Sequence, residues 1–326
     1  MTELNMAEAI NRALTEEMER DDDIIVLGQD IGVDGGVFRI TDGLLDKYGE
    51  RRVIDTPVAE SGIVGLCIGM AAGGLSPVCE MQFSGFAYMG LHQLEMHASR
   101  FRWRTRGRYP MPITVRVPFG AGVHALEHHS DSKEVFYAHI PGLKMVVPSG
   151  PRNTRALMLS AIRDPDPVVF FEPKATYRAF REEVPDEEET LPLGTSRTAR
   201  EGDDLTMISY GAMLHRVLEA AETLSADDGV EAEVIDLLSL SPLDHERFAE
   251  SARRTGRVLV VHEAHRSYGP AGEIIARLNE ESFWYLEAPI RRVTGFDTHV
   301  PYFAREQAYL PSVDGILDAA RATLDD

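Results

Sequence analysis

Residues Arg52 to Gly74 read RVIDTPVAESGIVGLCIGMAAGG. A short strand-like run leads into a turn holding Pro57, and Glu60 and Ser61 then stand at the mouth of a helix that is apolar or glycine on every side. A helix with no polar face is expected to be buried all round. Glu60 would thus open a buried element, where the free amides of a helix start stabilise a carboxylate. An ordinary first-turn glutamate reads the same way, so the spacing alone leaves a structural and a chemical role open.

Outward from this stretch the chain alternates. Asn5 and Glu8 form a capping signature, and Met6, Ala9, Ile10, Ala13, Leu14 and Met18 recur at helical spacing, predicting a helix over 5–20. Strand-like runs at Ile24–Leu27, Pro77–Met81, Ile113–Val117, Leu143–Val147 and Val168–Phe171 are separated by helical segments near 61–74, 85–100, 133–138 and 151–162. That order predicts a parallel sheet covered on both faces. The stretch REEVPDEEETLPLG, Arg181 to Gly194, is acidic, holds two prolines and lacks apolar periodicity, as an exposed linker does. Beyond it the alternation resumes, with strands near 205–209, 232–236, 257–261 and 290–293 and helices near 212–224, 243–253, 270–280 and 312–323. The expected architecture is α/β throughout, with two three-layer α/β/α domains. The first covers 1–185, a linker 186–200, and a smaller second domain 201–326.

At 326 residues with 44% hydrophobic content the chain is large enough for two cores. A formal charge of -20 repels phosphate backbones and anionic membranes, so nucleic acid and membrane are not expected partners. The longest apolar run, Gly62–Leu75, falls short of the roughly 20 residues of a bilayer span. The opening MTELNMAEAI enters a helix directly and lacks the pattern of a secretion signal, so a cytoplasmic location is expected. Cys67 and Cys79 have no zinc or disulfide spacing and read as buried thiols. Lysine is confined to Lys47, Lys133, Lys144 and Lys174, and such an acidic, lysine-poor surface suits a high-salt cytoplasm.

Several clusters have competing readings. His124 and His128 in HALEHHSDS are four apart, the spacing of two metal ligands on a helix, but the preceding PFGAG reads as loop. His262-Glu263-Ala264-His265 has one residue too few to be the HExxH zinc motif, and no catalytic role is assigned to it. RFRWRTRGRY, Arg100 to Tyr109, interleaves arginines with aromatics; in an acidic chain such a run is expected to meet the carboxylates of a neighbour. GQDIGVDGG lacks GxGxxG spacing and reads as a turn.

DTPVAESGIVG closely resembles the start of the buried helix in the E1 β subunits of pyruvate and branched-chain 2-oxoacid dehydrogenases, members of the transketolase-like thiamin diphosphate superfamily. PVCEMQFSGFAY, RYPMPITVRVPFGAGVHALEHHSDS, HIPGLKMVVPS, AIRDPDPVVFFEP and VVHEAHRSYGPAGEI look like segments of that family in the same order, so the resemblance spans nearly the whole chain. It implies a pyrimidine-binding domain followed by a transketolase-C-like domain. The family carboxylate matching Glu60 hydrogen-bonds N1′ of the cofactor's aminopyrimidine and activates it. Phe86 matches the stacking aromatic, Gln82 and Val58 fall at neighbouring cofactor positions, and His129 matches the histidine facing substrate or the lipoyl group. If the segment is helical, Gln82 and Phe86 share a face. AIRDPDPVVFF resembles a loop holding a potassium ion mainly through carbonyls, with Ile113, Ala161, Ile162, Asp164 and Asp166 at the matching positions.

The superfamily's magnesium and diphosphate motif, a GDG with a later asparagine, is missing here. The resemblance therefore implies an α subunit that supplies Mg2+ and diphosphate contacts in an α2β2 assembly, and an E2 lipoyl acyltransferase as the next partner. The implied reaction is oxidative decarboxylation of a 2-oxoacid with reductive acylation of lipoyl. An acetoin dehydrogenase β subunit shares these features, and a non-catalytic assembly subunit of the same fold is the rival from another class.

Overall fold

Asn5 caps the first helix as its sequence predicts: its side chain accepts the Glu8 N–H at 3.0 Å while the Glu8 carboxylate accepts the Asn5 N–H at 2.9 Å. In the computed structural model, which describes residues 1–326, this helix is α1 (Met6–Arg20), with Met6, Ala9, Ile10, Ala13, Leu14 and Met18 fully buried. The chain divides into two units, Met1–Phe119 with Phe136–Leu193, and Gly120–Val135 with Gly194–Asp326.

The first unit contains β1 (Thr2–Leu4), β2 (Ile24–Gly28), α2 (Leu44–Tyr48), β3 (Val53–Asp55), α3 (Glu60–Ala72) and β4 (Ser76–Glu80). These are followed by α4 (Ser84–Gln93), a π-helical turn Leu94–Ala98, α5 (Ser99–Arg104) and β5 (Thr114–Phe119). After α6 (Glu134–Ala138) come β6 (Lys144–Val146), α7 (Pro151–Ile162), β7 (Val168–Pro173) and β8 (Glu182–Val184). Six of its strands run parallel in the order β6-β7-β5-β4-β2-β3. Their buried side chains form near-continuous apolar runs, as strands covered on both faces require. The helices fall into two groups, α1 with α7 and α3 with α4.

The second unit holds β9 (Arg197–Arg200), β10 (Leu205–Ser209), α8 (Met213–Asp228), β11 (Ala232–Asp236), β12 (Ser239–Ser241) and α9 (His245–Thr255). It ends with β13 (Val258–His265), α10 (Ala271–Ser282), β14 (Arg291–Gly295), α11 (Glu306–Tyr309) and α12 (Val313–Leu324). Its five-stranded sheet has the order β14-β13-β10-β11-β9, parallel except for β9. β9 was not legible because RTAR has no apolar alternation; it is a charged edge strand.

Three expectations need correction. The helix read over 85–100 begins at Ser84 and is interrupted by the π turn, so Gln82 lies in the turn before it rather than on one helical face with Phe86. The acidic stretch after Arg181 is exposed but fastened: β8 pairs antiparallel with β1, Arg163 binds Glu188 and Arg152 binds Glu189, each at 2.8 Å. Finally, α3 is not buried all round. Gly62, Gly65, Leu66 and Gly69 form an exposed stripe, and a Cβ at Gly65 or Gly69 would meet nothing within 4 Å. Apolarity predicts that a surface is covered, but not that the same chain covers it.

Both cysteines are buried and free, as read; a hydrogen bond between Cys67 on α3 and Cys79 on β4, with burial, holds the Cys67 thiol well above its ordinary pKa. No helix is long and apolar enough to cross a membrane.

Candidate active site

Glu60 is the first residue of α3 and is 6% exposed. Ala59 before it offers no side-chain cap, so the first turn keeps its amides for other partners. The Glu60 carboxylate accepts the Gln29 side-chain N–H at 3.0 Å. Gln29 follows β2 directly, is buried, and its side-chain carbonyl has no hydrogen-bond partner within the chain. A buried acceptor without a donor is costly in a finished site and fits one that receives a ligand carrying N–H groups.

The next residue, Asp30, accepts a hydrogen bond from the Gln82 side chain at 3.1 Å. Asp30 sits at φ 57°, a left-handed turn that aspartate tolerates. Consecutive residues at the end of β2 thus reach both Glu60 and Gln82. Two contacts bring α4 against the start of α3. Gln93 donates to the Ser61 hydroxyl at 3.0 Å, and a Cβ on Gly90 would lie 2.8 Å from a Val64 methyl, so only glycine permits this approach. Phe86 on α4 packs edge-on to Phe83 at 6.0 Å, and Phe83 in turn meets Phe38 at 5.6 Å. Val58 is 80% exposed in the turn before α3.

Beneath this region lies a charge cluster that the sequence reading missed. Arg116, fully buried on β5, binds Glu172 of β7 through two parallel hydrogen bonds of 2.7 and 2.9 Å and also pairs with Glu80 of β4. Tyr177 donates its hydroxyl to Glu172 at 2.5 Å. Burial raises the Glu80 pKa, partly offset by the Arg116 guanidinium. The signal was present: single charges inside the apolar runs PVCEM, TVRVPF and VVFFEP.

The second unit carries the histidine segment. His129 is half-buried in a 3₁₀ turn, Glu127–His129, and its ring lies 4.2 Å from that of His128. His124 has φ 55° and belongs to no helix, so His124 and His128 do not present a helical ligand pair. No group of three or more His, Cys, Asp or Glu side chains could hold a metal ion. In the same unit, burial pushes the Glu134 carboxyl up to about 8, and one of its oxygens accepts the Tyr210 hydroxyl at 3.2 Å. His262 is buried, its pKa lowered by burial to about 3, and its Nε2 accepts the Ala271 N–H at the start of α10. It is a neutral structural group.

The five residues matched to a potassium loop gather around the turn after α7. The Ile113 carbonyl accepts the Val168 N–H at 2.9 Å, and the Ala161 carbonyl accepts the Thr114 hydroxyl at 3.1 Å. The Asp164 carboxylate is bound by Lys144 at 2.7 Å and that of Asp166 by Arg102 at 2.8 Å. Both carboxylates are thus committed to side-chain cations, and the Ile113 and Ala161 carbonyls each already accept a hydrogen bond within the chain.

Comparison with known proteins identifies the family. Residues 2–179 match the transketolase pyrimidine-binding domain and residues 194–316 the transketolase C-terminal domain. The pyruvate dehydrogenase E1 component subunit beta of Acholeplasma laidlawii is 47% identical over 97% of this chain and 96% of its own. The protein of the same name from Bacillus subtilis (strain 168) is 46% identical over 100% of both chains. A solved structure described as a split-gene transketolase in an inactive β4 tetramer superposes with a TM-score of 0.81 over 99% of this chain and 98% of its own; at 23% identity it speaks to the fold alone. The chain belongs to the family of β subunits of the thiamin-diphosphate-dependent E1 components of 2-oxoacid dehydrogenase complexes.

Proposed function

We propose that this β subunit serves a cytoplasmic E1 that oxidatively decarboxylates pyruvate, that an α subunit completes its active site, and that the acyl group passes to the lipoyl group of an E2 acyltransferase. The choice of pyruvate rests on the names of its full-length relatives, which do not favour the acetoin-cleaving or non-catalytic readings. The observation that carries the site assignment is the buried Glu60 carboxylate beside the unpartnered Gln29 carbonyl. Two adjacent buried acceptors suit a heterocycle that offers a protonated ring nitrogen and an exocyclic amine.

Thiamin diphosphate, when bound, supplies the electron sink for decarboxylation. Glu60 holds a proton at the pyrimidine ring nitrogen, Gln82 and Val58 line the ring, and Phe86 offers it an aromatic face. His129, whose ordinary titration range lies near neutrality, donates a hydrogen bond or proton to the substrate carboxylate or the lipoyl group. Magnesium belongs with the α subunit, since this chain has no diphosphate-anchoring motif. A potassium ion would be held mainly by main-chain carbonyls at Ile113, Ala161, Ile162, Asp164 and Asp166.

The test is reconstitution with the α subunit, thiamin diphosphate and magnesium, assayed on a panel of 2-oxoacids and acetoin. Pyruvate is expected to turn over fastest. Glu60→Gln should retain fold and assembly while losing at least about 100-fold in kcat. Full turnover by that variant, or no decarboxylation of any 2-oxoacid by the wild type, would sink the reading.

A further inference from the structure

The segment Gly120–Val135, which carries His124, His128 and His129, clusters with the C-terminal unit although the sequence places it inside the first domain. Buried carboxylates of that unit hold it. The Ala121 N–H donates to Glu263 at 2.8 Å, and Gly120, at φ 84°, lies so close that an added Cβ would sit 2.9 Å from both Glu263 carboxylate oxygens. The His124 N–H donates to Glu306 at 3.0 Å, and the His124 ring nitrogen Nδ1 lies 3.2 Å from the same oxygen. Within the segment, the Gly120 N–H donates to the Asp131 carbonyl at 3.2 Å, and the Ser130 hydroxyl to the Leu126 carbonyl at 3.0 Å.

Glu263 is 2% exposed and Glu306 fully buried. Taking two carboxylates out of water is expensive, and a fold tolerates them where they accept well-placed N–H donors. Here backbone groups of the histidine segment are among those donors. A main-chain donor fixes the path of the chain, so these bonds constrain where the next residues lead.

We infer that Glu263 and Glu306 are positioning residues for the E1 reaction, each pinning one end of the stretch Ala121–His124 so that the turn bearing His128 and His129 is presented in one conformation. Neither touches the reacting atoms in this assignment; both act through the segment. The inference rests on His129 as the group that faces substrate.

The experiment compares wild type, Glu306→Ala, Glu306→Gln, His129→Ala and the Glu306→Ala/His129→Ala double variant, each assembled with the α subunit. Two quantities are read: amide hydrogen exchange of residues 120–135 and steady-state turnover. Glu306→Ala should speed exchange across 120–135 by about tenfold or more, leave α8 and α9 unchanged, and lower kcat more than it raises KM. Glu306→Gln, which keeps an acceptor, should restore exchange to within about twofold of wild type. In the double variant the loss in kcat should not exceed that of His129→Ala alone, since residues acting as one unit are non-additive. Unchanged exchange in Glu306→Ala, or fully additive kcat losses, overturns the inference. Faster exchange in Glu306→Ala combined with full turnover in His129→Ala supports the clamp and overturns the assignment of His129 instead. Glu263→Ala, with Glu263→Gln as its acceptor-keeping control, provides a second site for the same measurements should Glu306→Ala not assemble.

Discussion

Glu134 gives the sharpest prediction for a single side chain. Its folded pKa, about 8, lies above the ordinary 4.5 of a glutamate, so the folded state holds a proton that the unfolded chain releases. The stabilisation from the neutral carboxyl is complete below about 4.5 and is lost as pH rises through about 8. Glu134→Gln, neutral at every pH and still able to accept the Tyr210 hydroxyl, should escape that loss. Unfolding free energies from urea titrations at pH 5 to 9 should fall for wild type relative to the variant, by an amount on the order of a few kcal/mol over the range. Parallel profiles would contradict it. His262 works in the opposite sense: its lowered pKa withdraws stability as pH falls below about 6.5, in both proteins alike. Glu60 and His129 could be proposed from the sequence because they sit in distinctive local strings, whereas Gln29, Glu263 and Glu306 could not. Their partners lie 31, 142 and 182 positions away, and no local pattern encodes such a contact.

Among elements, those governed by short-range rules were read closely. α1 begins where the Asn5 and Glu8 pair says it should, and α7, α8, α9, α10 and α12 fall within a few residues of their periodic segments. Asn5→Ala should cost about 1 kcal/mol, seen as a lowered thermal midpoint with faster amide exchange confined at first to the start of α1. A global collapse of protection would argue that the cap does more than close one helix end. What local rules missed has a common cause. The π turn at Leu94–Ala98, the edge strand β9 and the pairing of β1 with β8 answer to tertiary neighbours rather than to their own composition. The exposed stripe on α3 belongs here too, because hydrophobicity records the need for cover without naming its source.

For the molecule as a whole, charge dominates. With 53 acidic and 33 basic residues, the arginines that fasten Glu188 and Glu189 offset only a fraction of the repulsion. Screening should therefore stabilise the fold: raising KCl from about 20 mM to about 1 M is expected to lift the melting temperature by roughly 5 °C or more, despite weakened surface pairs. A melting temperature that falls with salt would show that ion pairs outweigh the net repulsion. The allotment of Gly120–Val135 to the C-terminal unit bears on how such chains can be cut and recombined. A graft that exchanges everything after Gly194 for the corresponding part of a relative leaves the histidine segment behind while removing Glu263 and Glu306. The second domain is therefore not a cassette. Its transplantation succeeds only when the sixteen-residue insertion travels with it, or when the donor brings acidic side chains at the same two places.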